Sequence, residues 1–178
     1  VMRMYNDNQK LPNEEEMSMV FNKFVAKSPM VAFADGYGAR ALDNYGARGY
    51  YLVGYDKWFR HSLYNMGFDV KKIDLDNAAD YDDVAVLVIT DINEPLSETA
   101  LKNIYSYIDK GGDLYVLSNY KRGQYLDPVL NYVGAKYYGG LVVQENQDIS
   151  PTFVPVNFTE AAIETNFIYK NVADWDYC

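Results

Sequence analysis

The sequence predicts an α/β fold, a mostly parallel sheet with helices on both faces, and three observations carry that prediction. Val84 to Thr90 is an apolar run rich in β-branched residues and too short for a core-spanning helix, so it reads as a strand buried on both faces. Ser97 then stands where a helix N-cap belongs and Glu98 complements the positive helix end. Leu101, Ile104, Tyr105 and Ile108 recur at helical spacing before Gly111-Gly112 supplies a left-handed stop. Leu114 to Leu117 follows as a second buried strand. Strand, capped helix, glycine stop and strand make a βαβ unit, which is almost always right-handed and sets its two strands parallel.

The remaining elements are placed around this unit. Residues 1–12 read as an unpacked lead-in. Asn13 caps a helix that runs to Val25, with Glu16 at the reciprocal position of a capping box and Met17, Val20, Phe21 and Phe24 on one face. Ser28-Pro29 breaks it. Met30 to Ala34 is the first strand, ending in Asp35-Gly36-Tyr37-Gly38. From Gly36 to Gly49 the chain contains YGAR twice, at Tyr37–Arg40 and Tyr45–Arg48. Two short copies do not make a structural repeat, and the glycines predict a long loop.

Tyr50 to Tyr55 leads into a predicted helix over Asp56–Met66, with Trp58, Phe59, Leu63 and Met66 inward and Gly67 at its end. Val70 to Leu75 alternates apolar and polar, the pattern of a strand nearer the sheet edge. Asp76–Asp83 is an acidic loop. After Tyr120 a polar turn, Lys121–Gln124, precedes Asp127-Pro128, an N-cap with proline at the first helical position, and Gly134 closes that helix. A further strand is predicted over Tyr137–Gln144, interrupted by Gly139-Gly140, then an extended stretch from Asp148 to Asn157. Thr159 caps a short helix through Glu164, and Phe167–Tyr169 returns as a strand. The organisation expected is a lead-in and N-terminal helix over 1–28 and a single α/β domain over 29–178. The ends at Val1 and Cys178 read as cuts from a longer protein.

Composition narrows the function classes. A chain of 178 residues, 49% hydrophobic and 23% charged, has the make-up of a soluble globule able to bury its own core. A net charge of −9 argues against nucleic acid as the main partner and against docking on anionic lipid heads. The one cysteine, Cys178, forbids an intrachain disulfide, which fits a reducing compartment and is compatible with an oxidising one. No stretch resembles a signal peptide or approaches the ~20 apolar residues of a spanning helix.

In an open parallel sheet, ligands sit outside the carboxyl ends of the strands. The candidates at those ends are Asp35, Tyr37, Arg40 and Arg48 after the first strand, Asp91 and Asn93 after the third, and Ser118, Asn119 and Arg122 after the fourth. Arginines beside tyrosines and a glycine-rich turn could hold a carboxylate or a sugar. The structural alternative is that glycines make the turn, tyrosines cover its apolar flank and arginines solvate it. Gly36-Tyr37-Gly38 lacks the third glycine of a dinucleotide fingerprint, and no GK[ST] phosphate loop occurs.

His61 is the one histidine and falls within the predicted second helix, where a structural role is the ordinary one. Ser118 follows a buried strand, but LSNYK lacks the flanking glycines of a nucleophile elbow. No catalytic residue is therefore assigned, and no cofactor is called for. His and Cys are too scarce for zinc, and Asp74, Asp76, Asp80, Asp82 and Asp83 lack the glycine and terminal glutamate of an EF-hand, so they read as a solvated loop. The 18 tyrosines include the pairs Tyr50-Tyr51 and Tyr137-Tyr138; strand alternation would turn one of each pair outward, toward a protein partner or plain edge packing.

A family resemblance joins these pieces. VAFADGYGAR, RGYYL, FDVKKIDL, VLVITDINEPLSETALKNIYSYIDKGGDLYVL, YLDPVLNYVGAKY and SPTFVPVNFTEAA, in that order over about residues 29–162, resemble the extracytoplasmic domain of gliding-motility-type, GldG-like auxiliary subunits of ABC exporters. The fold this implies is a three-layer α/β sandwich, flavodoxin-like or class I glutamine-amidotransferase-like, without the catalytic cysteine; no cysteine lies near Leu117 here. The chain departs from the resemblance at Tyr37, where a histidine between two glycines is expected.

The resemblance implies a membrane-anchored parent whose soluble domain stands on the periplasmic face of the inner membrane. It would work beside an ABC permease and ATPase and hydrolyse nothing itself, touching the membrane only through segments outside this chain. The helix from Asn13 to Val25 would be the approach from a preceding anchor or domain, and the tail after Asn166 a path onward. The runner-up is an amidotransferase-like or trehalose-utilisation-like enzyme acting at the strand-end crevice. A third reading is a periplasmic binder of a small carbohydrate or peptide.

Overall fold

A computed structural model describes residues 12–143, 145, 150 and 159–165. The chain divides into two compact units, Val1–Gly139 and Gly140–Cys178. The first carries α1 (Glu14–Val25), β1 (Met30–Asp35), α2 (Tyr51–Gly54), β2 (Asp69–Asp74), β3 (Val84–Thr90), α3 (Glu98–Asp109), β4 (Asp113–Leu117) and α4 (Asp127–Tyr132). In the second, α5 (Glu160–Thr165) is the element described.

The four strands form one all-parallel sheet in the order β2-β1-β3-β4, with helices around it, which is the α/β architecture the sequence predicts. β1 pairs Met30 with Asp69 and Asp35 with Asp74, and β3 pairs Leu87 with Leu114 and Thr90 with Leu117. Because side chains alternate along a strand, the sheet builds two cores. On one face Ala32, Ala34, Ile73, Leu87 and Ile89 pack with Ile104 and Tyr107 of α3 and Val129 of α4. On the other, Val31, Phe33 and Val88 pack with Leu42, Leu63 and Phe68. Burial of each large aliphatic side chain contributes about 1.5–3 kcal/mol.

The helix caps follow their local chemistry. The Asn13 side chain accepts from the Glu16 amide while the Glu16 carboxylate accepts from the Asn13 amide, each at 2.8 Å, so the expected capping box is formed. Ser97 Oγ accepts from the Ala100 amide at 2.9 Å, and Gly111 takes φ +86° at the other end of α3. The α1 face expected to be apolar is largely open: Phe21 and Phe24 are exposed, while Met19 packs at Gly67. No helix among the described residues is long and apolar enough to cross a membrane.

Four expectations are corrected. Asp56–Met66 is a run of turns, and the helix before it is the single turn of α2. Its carbonyls are taken by a side chain: Asn65 Nδ2 donates to the carbonyls of Asp56, Lys57 and Phe59, while Asp56 Oδ1 accepts from the Trp58 and Phe59 amides. Such local side-chain bonds compete with the helical ladder, and Trp58, expected inward, is 82% exposed.

β4, expected to be a buried strand, is an edge strand: Leu114 and Val116 turn to the α3 core while Tyr115 and Leu117 are exposed. Asp127 is the first residue of α4 and not its N-cap; a 3₁₀ turn, Gly123–Leu126, runs straight into the helix and leaves the cap position to Leu126. Residues 137–143 form no strand. Tyr137 lays its ring over Gly123 and donates its hydroxyl to the Tyr120 carbonyl, so this residue packs beside that turn and pairs with no strand. Neither tyrosine pair lies in a strand, although Tyr138 is exposed. The expectations for residues 1–11, Gln144, most of Asp148–Asn157 and Phe167–Tyr169 lie outside the described residues.

Candidate functional site

β1 and β3 are neighbours whose onward connections leave in opposite directions, β1 toward β2 and β3 toward β4. Such a switch point is where open α/β sheets commonly bind ligands, beyond the carboxyl ends of the strands. Asp35 ends β1 and Asp91 follows β3, so the predicted residues flank this point.

Asp91 is the centre of the arrangement. Its side chain is 7% exposed and its backbone is left-handed, φ +44°, a conformation that aspartate tolerates better than most residues. The Asp91 amide donates to the Leu117 carbonyl at 2.7 Å, extending the β3–β4 ladder to the point where the chain turns. Three guanidinium groups converge on its Oδ2: Arg40 Nε at 3.5 Å, Arg48 Nη1 at 3.4 Å and Arg122 Nη1 at 3.5 Å. The other carboxylate oxygen, Oδ1, is buried and accepts no hydrogen bond.

The glycine-rich loop brings the first two arginines together. Gly38 takes φ +64°, and a Cβ there would fall 1.9 Å from Asn93 Oδ1, so only glycine lets the loops after β1 and β3 touch. The Asn93 amide completes that contact by donating to the Tyr37 carbonyl at 2.9 Å. The loop then folds back on itself, with an isolated bridge between Ala41 and Gly49 and the Tyr50 amide donating to the Ala41 carbonyl. This return sets the second YGAR copy beside the first, and each copy contributes its arginine to the same carboxylate oxygen.

Arg40 is steadied by the Ala47 carbonyl at 3.2 Å and by the Tyr50 ring 5.8 Å beneath it. Arg48 is steadied by the Gly38 carbonyl at 3.1 Å. Arg122 is carried on a turn in which Asn119 accepts twice, its carbonyl from the Arg122 amide and its side chain from the Lys121 amide.

Three positive groups against one carboxylate leave an excess of two positive charges at one spot of a chain whose net charge is −9. The arrangement can attract and fix an anion. Of the nine predicted residues, Arg40, Arg48, Arg122 and Asp91 meet directly, while Asn93 and Asn119 shape the loops that hold them. The other three have separate contacts. Asp35 pairs with Lys72 at 3.0 Å; Lys72 also holds Asp43 at 2.9 Å, and the two carboxylates push the ammonium pKa up to about 12. The Tyr37 hydroxyl donates to Asp76, as does that of Ser97, and these bonds hold the Asp76 carboxyl below its ordinary range.

Ser118 is exposed, with its hydroxyl donating to the Asn119 carbonyl at 3.2 Å, and His61 is exposed against the edge of Phe59. Among the described residues no hydrogen bond joins Ser118 to His61, and no group of three His, Cys, Asp or Glu side chains could hold a metal ion. Asp76 and Lys72 were missed as partners of the rim. Asp76 counts in the sequence as one of a run of acids, although its position just past the carboxyl end of β2 marks it as rim-facing.

Comparison of the chain with protein-family models, with curated proteins and with solved structures finds no match.

Proposed function

We propose that this chain is a non-catalytic binding and scaffolding domain that grips an anionic group at the carboxyl rim of its sheet. The observation that carries the reading is the convergence of Arg40, Arg48 and Arg122 on Asp91, which leaves more positive charge than the described residues around it balance. Preorganised arginine forks are a recurrent means of holding carboxylate and phosphate groups. On the resemblance of its ordered segments, the setting we propose is the extracytoplasmic, periplasmic-side domain of a GldG-like auxiliary subunit. It would be anchored to the membrane through its parent and associate with an ABC permease and ATPase.

Two measurements test the two halves of this reading. For the binding half, a screen of small sugars and peptides against the wild-type chain and against Arg40→Ala and Arg48→Ala should find a ligand whose affinity falls in both variants. Binding unaltered by both would remove the rim from the proposal. For the setting, affinity purification of the tagged full-length parent from native membranes should recover a phosphate-loop ATPase and its permease in stoichiometric amounts. Recovery of the parent without either subunit would overturn the transport assignment.

A further inference from the structure

We infer that the Arg40–Arg48–Arg122 cluster takes a tetrahedral oxyanion of two negative charges, a phosphoryl or sulfuryl group, in preference to a carboxylate; this rests on reading the rim as a binding site. Charge is the first argument, since the cluster carries a surplus of two and a dianion cancels it where a monocarboxylate does not. Geometry is the second. A carboxylate offers two oxygens and satisfies one guanidinium fork bidentately, whereas three guanidinium groups, two from the loop after β1 and one from the loop after β4, need an acceptor with at least three oxygens around one centre.

The third argument is that the protein leaves these groups unsatisfied. Charge-assisted N–H···O contacts ordinarily close to about 2.7–2.9 Å. All three arginines stop 3.4–3.5 Å from Oδ2, with side chains 32%, 46% and 34% exposed for Arg40, Arg48 and Arg122. Among the described residues, Nη2 of Arg40, Nη2 of Arg122 and Nε of Arg48 have no protein acceptor. The carboxylates on neighbouring loops are engaged elsewhere, Asp35 and Asp43 with Lys72 and Asp76 with Tyr37 and Ser97.

A phosphoryl group could arrive as free phosphate, as a sugar phosphate or on a lipid head, and calorimetry separates these sources. The wild-type chain is titrated at fixed ionic strength with inorganic phosphate, sulfate, methyl phosphate and acetate, and with phosphatidylcholine vesicles containing or lacking phosphatidic acid. The expected result is saturable one-to-one binding of phosphate or sulfate at least tenfold tighter than acetate. Arg48→Gln and Arg122→Gln should each weaken it tenfold or more, Arg48→Lys should weaken it less, and Lys27→Gln, before β1 at the amino end of the sheet, should leave it unchanged. Phosphatidic acid vesicles binding more tightly than methyl phosphate would assign the group to a lipid head, and the reverse to a soluble ester.

Circular dichroism and thermal melts verify that each variant folds. Should the arginine variants fail to fold, the phosphate-to-acetate ratio of the wild-type chain decides alone. Acetate binding as tightly as phosphate would overturn the dianion while leaving the rim as a binding site. Phosphate binding indifferent to both arginine substitutions would overturn the assignment to this cluster. No binding of any anion, with no sugar or peptide binding either, would remove both this inference and the function it rests on.

Discussion

Two arginine–carboxylate contacts in this protein look alike in sequence and differ in kind. Arg60 grips Glu16 as a closed fork, Nε to one oxygen and Nη2 to the other, both at 2.6 Å, with the side chains only 12% and 17% exposed. Glu16 also accepts from the Asn13 amide at the start of α1. At Asp91 three arginines share one oxygen at 3.4–3.5 Å and leave the other oxygen empty-handed. The first contact is complete within the protein and ties α1 to the turns after α2. The second remains open. Stoichiometry and distance together, more than the presence of an ion pair, separate a structural clasp from the open cluster on which the proposed site rests.

The contrast is strained hardest at Asp91. Asp91→Asn keeps the shape and the tolerance for left-handed backbone but strands three guanidinium groups without a counter-charge, so a loss of about 2–4 kcal/mol is expected from chemical denaturation, short of the fully buried case because the arginines are part-exposed. A loss below about 0.5 kcal/mol would mean the arginines do not depend on Asp91. Glu16→Ala comes next. It removes the fork to Arg60 and one half of the capping box, for an expected cost of about 1–3 kcal/mol, and pairing it with Arg60→Met in a double-mutant cycle isolates the ionic share. Strict additivity in that cycle would dissolve the clasp.

Acid gives a smaller effect of known sign. The hydrogen bonds from Arg60 hold the Glu16 carboxyl below its ordinary value of 4.5. Its contribution is therefore fully present above that value and lost as pH falls through the depressed one. Stability curves of wild type and Glu16→Gln should converge between these two limits, and parallel curves would contradict it.

The smallest change is expected at Arg48→Gln. It removes one of three cations that crowd each other while two remain on Asp91, so stability should stay within about 0.5 kcal/mol of wild type. A loss above about 1.5 kcal/mol would make the trio a clasp after all and erase the distinction.

Much of the frame was legible because its signals are local. Val84–Thr90 appears as a strand over the full predicted span, Asn13, Glu16 and Ser97 cap as expected, and the alternation of Val70–Leu75 marks an edge strand. Helical spacing failed over Asp56–Met66 because Asn65 and Asp56 offered the backbone shorter-range partners than a helix would. The candidate site was half legible. Position at the carboxyl ends of strands named all four residues of the Arg40–Arg48–Arg122–Asp91 cluster, yet gave no hint that Asp35 and Tyr37 would be claimed by Lys72 and Asp76.

What residue order settles in this protein is whatever a few neighbours decide among themselves: caps, stops, strand alternation and the parallel βαβ unit that dictates an open sheet. Which of several charged side chains share a single oxygen depends on where three loops end, and that depends on the strand order β2-β1-β3-β4 and on Gly38 admitting Asn93. Those contacts join positions as far apart as Arg40 and Arg122, and no local pattern encodes a meeting over that distance. Packing decided it, because only the folded sheet places the ends of β1, β3 and β4 along one rim.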